Sequence, residues 1–497
     1  MKKIITVTLL LLVVGTLFAQ ENNIFWSRGF WKPTTTINEV QQKIKEGNNA
    51  TALNPNNFDA TTNAILANAP IKTVEFLLNL EGNDINKITH DGRTYLFWAA
   101  LKGNLPIMKY VLSKGAKTAI IDDKGSSVLL FAAGGGQTKP ALYNLLLANG
   151  ALINDTNPKG TNVIHQLIGK VKNLNELDYF IKKGLKLSDT DKAGLNIIDY
   201  AARAGNKEII EQLIKKGISY KDTNIDGGNA FLEAATIGRG GGNNLTFFKY
   251  LESLNINPNI TNKKGVNPIL KLASSNNDKA IFDFFIEKGV GITKADNNGN
   301  TALINAAGRN NSEIITYFLN KKVAINATNN DGKSALSNAI ATNSFEAVSL
   351  LINKGANVNI IDKDGNNLAY YLVNSYSKNN KKQFNEKWNL LLQKGVNMLH
   401  VQNENNNLLH LAVTKNNTDL LDKIANLKIE INAKNNNGLT PLHIAAMTAN
   451  NTEIIKHLIK LGAKINVLTD FEETAYDLAL ENEFLNKNDI EFLKLWN

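Results

Sequence analysis

A glycine returns along this chain at a nearly fixed interval, and that interval limits the possible folds more than any other feature of the sequence. Gly92, Gly125, Gly160, Gly194, Gly227, Gly265, Gly299, Gly332 and Gly365 follow one another mostly 33 to 35 residues apart, and Gly438 lies two intervals further on. Such a period is the mark of stacked repeats, in which one unit cannot bury its apolar face alone. After the glycine comes an apolar stretch that ends in a small pair, as in "HDGRTYLFWAALKGN" (90–104), "KAGLNIIDYAARAGN" (192–206) and "NNGNTALINAAGRNN" (297–311). A second amphipathic stretch follows, as in "IMKYVLSKGA" and "IIEQLIKKGI". Each glycine, often preceded by Asp or Asn, suits a tight turn at positive φ. Thr94, Thr301 and Thr440 stand two residues later, where a hydroxyl can cap a helix. The second stretch places apolar residues at helical spacing (Ile454, Ile455, Leu458, Ile459) and closes on Lys and Gly, a helix C-terminus.

At residues 438–446 the sequence reads "GLTPLHIAA". With the period, the Ala-Ala pair and the Gly-Ala ending, this segment resembles an ankyrin repeat; "GNTALINAA" and "NNLLHLAV" (406–413) resemble it more loosely. The resemblance implies an all-α ankyrin-repeat solenoid, a curved superhelical array of helix-turn-helix units with a β-hairpin loop in each repeat. About 13 units fit between Asn57 and the C-terminus, with Asp59, Asn405 and Glu472 in place of the leading glycine. His165, His410 and His443 keep the motif histidine, and the resemblance implies that they bridge backbone and Thr groups between repeats and bind no metal. The array is expected over 57–475. Residues 20–56 form an N-terminal strap and capping helix ("TINEVQQKIKEGNN", 36–49), and 476–497 form C-terminal capping helices, because the ends of a solenoid need polar outer faces. The aromatic "NIFWSRGFWKP" (23–33) is either a strap on the first repeat or an exposed docking segment.

The first residues, "MKKIITVTLLLLVVGTLFAQ", combine two lysines, a short apolar run and small residues up to Ala19, which predicts a signal peptide over 1–19 and an exported chain, periplasmic or secreted. The chain has no cysteine, so disulfides, thiolate metal sites and cysteine nucleophiles are excluded. No histidine pair has metal-binding spacing, and no nucleophile-elbow sequence occurs. Carboxylates before the repeat glycines (Asp91, Asp226, Asp331, Asp364) are read as turn residues that accept backbone hydrogen bonds. No enzyme, cofactor or metal is therefore expected.

"TIGRGGGNN" (236–244) raises the question of a phosphate loop, but it sits in the turn between a repeat's two helices, with no strand before it and no Gly-Lys-Ser/Thr after it. It reads as an insertion, like "GGGQTKP" (134–140) and "NSYSKNNKKQFNEKW" (374–388). In the family this chain resembles, partners lie along the concave face of hairpin tips and first helices. The matching cations here are Arg93, Lys102, Lys124, Lys192, Arg203, Lys263, Lys264, Arg309, Lys333 and Lys363, with Lys159, Lys170 and Lys415 beside them. They form a basic groove for a protein partner, possibly acidic, or they share the positive excess of a chain with net charge +10. The tips lack the aromatic interleaving that single-stranded nucleic acid needs. The expected molecule is a monomer that does not insert into a membrane after signal cleavage. Its expected role is a scaffold or regulator in the cell envelope, or else a secreted effector that captures host or competitor proteins.

Overall fold

The structure, a computed structural model, describes residues 23–238 and 241–494. The expected signal peptide, Arg239 and Gly240 of the glycine loop, and Trp496 lie outside the described residues. The fold is an all-α solenoid of helix pairs. First helices recur in register with the glycine period: Ala60–Leu66, Tyr95–Leu101, Val128–Gly134, Val163–Leu167, Ile197–Arg203 and Ala230–Ala234 in one compact unit, then Pro268–Leu272, Ala302–Arg309, Ala335–Thr342, Leu368–Asn374, Leu408–Val413, Pro441–Thr448 and Ala475–Glu481 in a second. The first unit runs to Ala234 and takes in Thr246–Ile256; the second comprises Ala235–Leu245 and the chain from Asn257 onward. Among the described residues no helix is long and apolar enough to cross a membrane.

Most helices begin on a side-chain cap. Thr301 and Thr440 accept the N–H of Ile304 and His443. Thr94 does not, because the Phe97 N–H donates to the Thr94 carbonyl and leaves the buried hydroxyl without a partner. The small pairs are buried (Ala99–Ala100, Ala306–Ala307, Ala445–Ala446), which lets consecutive first helices pack closely within each unit. The leading glycines carry φ between 70° and 86°. Asn405 (φ 58°) and Glu472 (φ 64°) take the same left-handed turn, but Asp59 does not. Asp59 is the N-cap of Ala60–Leu66, and the left-handed residue of that repeat is Asn57 (φ 59°), two positions earlier.

The hairpin loops are turns closed by single bridges, such as Thr89 with Arg93 and Ile121 with Ser127, and not by extended strands. Their acceptors also differ from expectation. The side chain that holds each turn stands three residues before the glycine, where Asp122, Asp191, Asp296 and Asp362 each accept two backbone N–H groups. Asn157, Asn262, Asn329 and Asn435 do the same, so Asn at these positions is a turn device.

The N-terminal aromatic segment is a strap. Phe25 and Trp31 are buried, the Trp31 Nε1 donates to the Phe25 carbonyl (2.9 Å), and Asn63 of the first helix donates to the same oxygen (3.1 Å). The helix Ile37–Lys45 behind it has a Thr36/Glu39 capping box. The insertion at 374–388 is no loop. It forms a turn of 3₁₀ helix, Lys378–Asn380, and lengthens the second helix, Lys381–Gln393, around a buried Phe384 and Trp388.

Candidate functional site

Hairpin tips and the ends of first helices carry the candidate cations, and each unit shows them separately. Neighbouring tips are joined through the backbone: Asp123 N–H donates to Asp91 O (3.0 Å) and Lys192 N–H to Lys159 O (2.9 Å) in the first unit. In the second unit Asn297 N–H donates to Lys264 O, Asn330 N–H to Asn298 O, and Lys363 N–H to Asp331 O (2.9, 2.7 and 2.9 Å). The result in each unit is a row of tips whose spacing is fixed by the main chain.

In the first unit Arg93 does not serve the groove. It is 6 % exposed, its guanidinium donates to Asp122 (2.9 Å) and Asp91 (3.0 Å), and it lies over the rings of Trp98 and Phe131. Arg93 is a structural bolt between two tips. Lys102 is exposed after its helix, and Lys124 is exposed with its ammonium on Asp91, whose carboxyl it holds below the usual range. Lys192 donates to the Pro158 carbonyl (3.0 Å). Arg203 stacks on Tyr200 (5.2 Å) and pairs with Glu233 (2.5 Å), while its Nε is buried without a partner. Lys170 donates to the Gly134 carbonyl, and burial lowers its pKa. Lys124, Lys159, Lys170 and Arg203 line one open cleft of about 710 Å³, with Tyr200, His165 and Gln166 among its walls. The sequence alone did not reveal this cleft, because its residues come from three consecutive repeats.

In the second unit Lys263, Lys264, Arg309 and Lys363 are exposed and Lys333 is half-buried beside Asp331 (3.5 Å). Lys415 donates to the Asn374 carbonyl (2.8 Å). The tips carry something the charge count overlooked. Ile88 and Ile121 are about half exposed, Ile225 is 61 % exposed and Phe471 is 82 % exposed, and Ile361, Val401 and Leu468 are exposed as well. Most of these stand four residues before the leading glycine or its substitute, so the period itself marks them.

The motif histidines are structural. In His165, His410 and His443, Nδ1 accepts the N–H of the helix cap (Asn162, Asn407, Thr440), and Nε2 donates to a carbonyl of the following segment (Asp189, Leu439, Val467). Burial lowers all three pKa values, which favours the neutral ring. Only His443 has a Thr partner; Asn fills that place in the other two. Among the described residues no group of acidic and histidine side chains could hold a metal ion.

A family model described as ankyrin repeats (three copies) matches in overlapping placements at residues 38–122, 61–157, 129–224, 231–329, 270–362, 305–382 and 377–469. One curated relative, the phosphocholine transferase AnkX of Legionella pneumophila, is 30% identical over 132 residues, which is 26% of this chain. The match spans 14% of that protein's length. Among solved structures, the human ASB11 ankyrin repeat domain is similar with a TM-score of 0.39 and 21% identity, over 47% of this chain and 100% of that domain.

Proposed function

Because the chain belongs to the ankyrin-repeat family, we propose that it is a non-catalytic scaffold or regulator that holds a protein partner against its hairpin tips and first-helix ends. One observation carries the reading: in each unit the tips present large apolar residues (Ile88, Ile121 and Ile225 in the first, Ile361 and Phe471 in the second), and Ile121 and Ile361 stand within three positions of Lys124 and Lys363. Apolar anchors beside charged groups are what a protein interface uses, and exposed apolar side chains recur at the hairpin tips within each unit. The positive balance of the row favours a partner with an acidic surface. Export is part of the proposal and rests on residues 1–19 of the sequence; the envelope is the proposed location.

The test is a crosslinking capture from intact cells with three forms of the chain. Charge reversal at Lys263, Lys264 and Arg309 is expected to weaken capture and to slow association, with a strong dependence on salt. Reversal at the exposed Lys215 and Lys216 of the outer helix should change little. Loss in the second variant with none in the first would move the partner to the opposite face. Recovery of the chain from culture supernatant in place of the osmotic-shock fraction would favour a secreted effector over an envelope scaffold.

A further inference from the structure

The end of the second unit reverses the sign of the tips before it. Between Lys464 and Lys487 the chain carries Asp470, Glu472, Glu473, Asp477, Glu481 and Glu483 and no lysine or arginine, although its net charge is +10. The two most exposed large apolar side chains among the described residues stand in this same stretch, Phe471 and Phe484, the second 73 % exposed. They bracket helix Ala475–Glu481, with Phe471 on the tip before it and Phe484 in the turn after it. Hydrogen bonds hold both in place. The Phe471 N–H donates to the Thr469 Oγ1 (3.2 Å), which also accepts the Glu473 N–H (3.1 Å). The Phe484 N–H donates to the Asn482 Oδ1 (3.0 Å), and the buried Asn482 amide donates to the Ala446 and Ala449 carbonyls. Met447, next to Ala446 on the neighbouring first helix, is about half exposed, and Leu468 is exposed on the tip. Apolar side chains are thus open to solvent at both ends of one first helix.

The exposed positions of that helix are acidic. Asp477 and Glu481 are both exposed and stand four residues apart, hence on one helix face. Glu472 adjoins Phe471 and Glu483 adjoins Phe484. Of the six carboxylates only Asp470 is in an ion pair among the described residues, with Lys434 (3.1 Å). We infer that this end of the second unit docks a basic segment of a partner protein, whose apolar side chains cover Phe471 and Phe484 and whose lysines or arginines meet the carboxylates between them. The two rings supply the apolar core of such a contact, and the unpaired carboxylates set the sign of what can approach it. Helix Ala475–Glu481 has 7 residues and is about 10 Å long at 1.5 Å per residue, so a ligand that covers both of its ends is a length of chain and not a single side chain. An acidic segment, which the lysines of the earlier tips favour, is repelled here. The inference rests on the reading of the tips as a partner face and narrows it, because the face changes sign along the second unit.

The test is fluorescence anisotropy on the full chain with two labelled peptides, (Lys-Leu-Lys-Ala)₃ and (Lys-Ser-Lys-Ala)₃, which carry the same charge. The leucine peptide is expected to bind at least tenfold more tightly than the serine peptide. Phe471→Ser with Phe484→Ser should weaken it at least tenfold, and Glu481→Lys with Glu483→Lys should do likewise. All four side chains are exposed, so the urea midpoints of both variants should stay near that of the wild type. Glu211→Lys, an exposed acid on an outer helix of the first unit, should change the affinity less than twofold. Equal binding of the two peptides would show attraction by charge alone and overturn the inference. Unchanged binding in the phenylalanine variant would overturn it too, as would a loss in Glu211→Lys as large as in the Glu481/Glu483 variant. If the leucine peptide does not bind while the Lys263/Lys264/Arg309 reversal still loses the cellular partner, the docking site at Phe471 and Phe484 fails and the wider face stands.

Discussion

The Nζ of Lys387 donates to the carbonyl of Ile340 (3.1 Å), 47 residues earlier in the chain, and to that of Asn343. Elsewhere in the second unit an Asn side chain does this work. Asn310 donates to Ala273 and Asn276, Asn343 to Ala307 and Asn310, and Asn482 to Ala446 and Ala449. Each closes the orphan carbonyls at the end of the preceding first helix. In the repeat with the lengthened second helix the Asn is missing, and the inserted helix supplies a lysine.

Lys387→Met is therefore expected to destabilise the chain by about 1.5–3 kcal/mol at neutral pH, because it strands two buried carbonyls. Burial pushes the Lys387 pKa down to about 8 from 10.5. Between those values the unfolded chain holds a proton that the folded chain has released, so stability rises with pH across that window. The urea midpoint of the wild type should gain on that of Lys387→Met from pH 8 to 10. A gap that narrows over the same range would contradict the assignment.

How far the sequence led can be read at Arg93 and Lys387. The glycine period placed the helix pairs, most turns and the capping threonines, because a repeated backbone demand leaves repeated residues. Arg93 was misplaced for the same reason: it occupies a tip position, and only the packing of Asp122, Trp98 and Phe131 shows that it points inward. The insertion at 374–388 read as a loop because its polar run, Lys378 to Lys382, has no helical period until Phe384 and Trp388 join it. The cleft cations are spread over three repeats, so no local pattern in the sequence could have joined them all.

Two glycines with similar φ should respond differently to a methyl group. At Gly299 (φ +79°) a Cβ would stand 2.9 Å from the Asn329 Cα and Asn330 N of the next tip. At Gly355 (φ +91°) nothing lies within 4 Å. Gly355→Ala should cost about 1–2 kcal/mol, the penalty of a left-handed alanine. Gly299→Ala adds a clash with backbone and should cost distinctly more, measured by urea denaturation of the two variants side by side. Equal losses would mean that the tip row yields easily and does not fix the spacing of the groove.

The strap gives a third outcome. Trp31 is 4 % exposed and packs on Phe25 and Phe30. Trp31→Ala should destabilise by roughly 3–5 kcal/mol and open the first repeat to protease before the rest of the chain. Exposed Arg28 replaced by Ala should leave the cleavage pattern nearly unchanged. Early cleavage elsewhere in the Trp31 variant would show that the segment does not cap the array.

Asp199 reports on the same unit through pH. Its carboxylate accepts the Asn196 N–H (3.0 Å) in a helix capping box. Burial, with a further push from Glu233 and against the pull of Asn196, raises its pKa to about 7 from 3.8. The folded chain therefore binds a proton between about pH 4 and 7 that the unfolded chain has released. The stability this group contributes is complete below the unfolded value and is lost as pH rises through 7. Asp199→Asn keeps an oxygen for the Asn196 N–H and cannot ionise. It should raise the urea midpoint at pH 8, where the wild type carries a buried charge, and have little effect at pH 4.5, where the wild-type side chain is neutral. The three motif histidines titrate in the opposite sense: their depressed pKa values give stability present above about 6.5 and lost as pH falls, so the wild-type curve alone is ambiguous. The difference between wild type and Asp199→Asn removes them from the comparison. If that difference were the same at pH 4.5 as at pH 8, Asp199 would be ionised in the fold throughout, and the raised pKa assigned to it would be wrong.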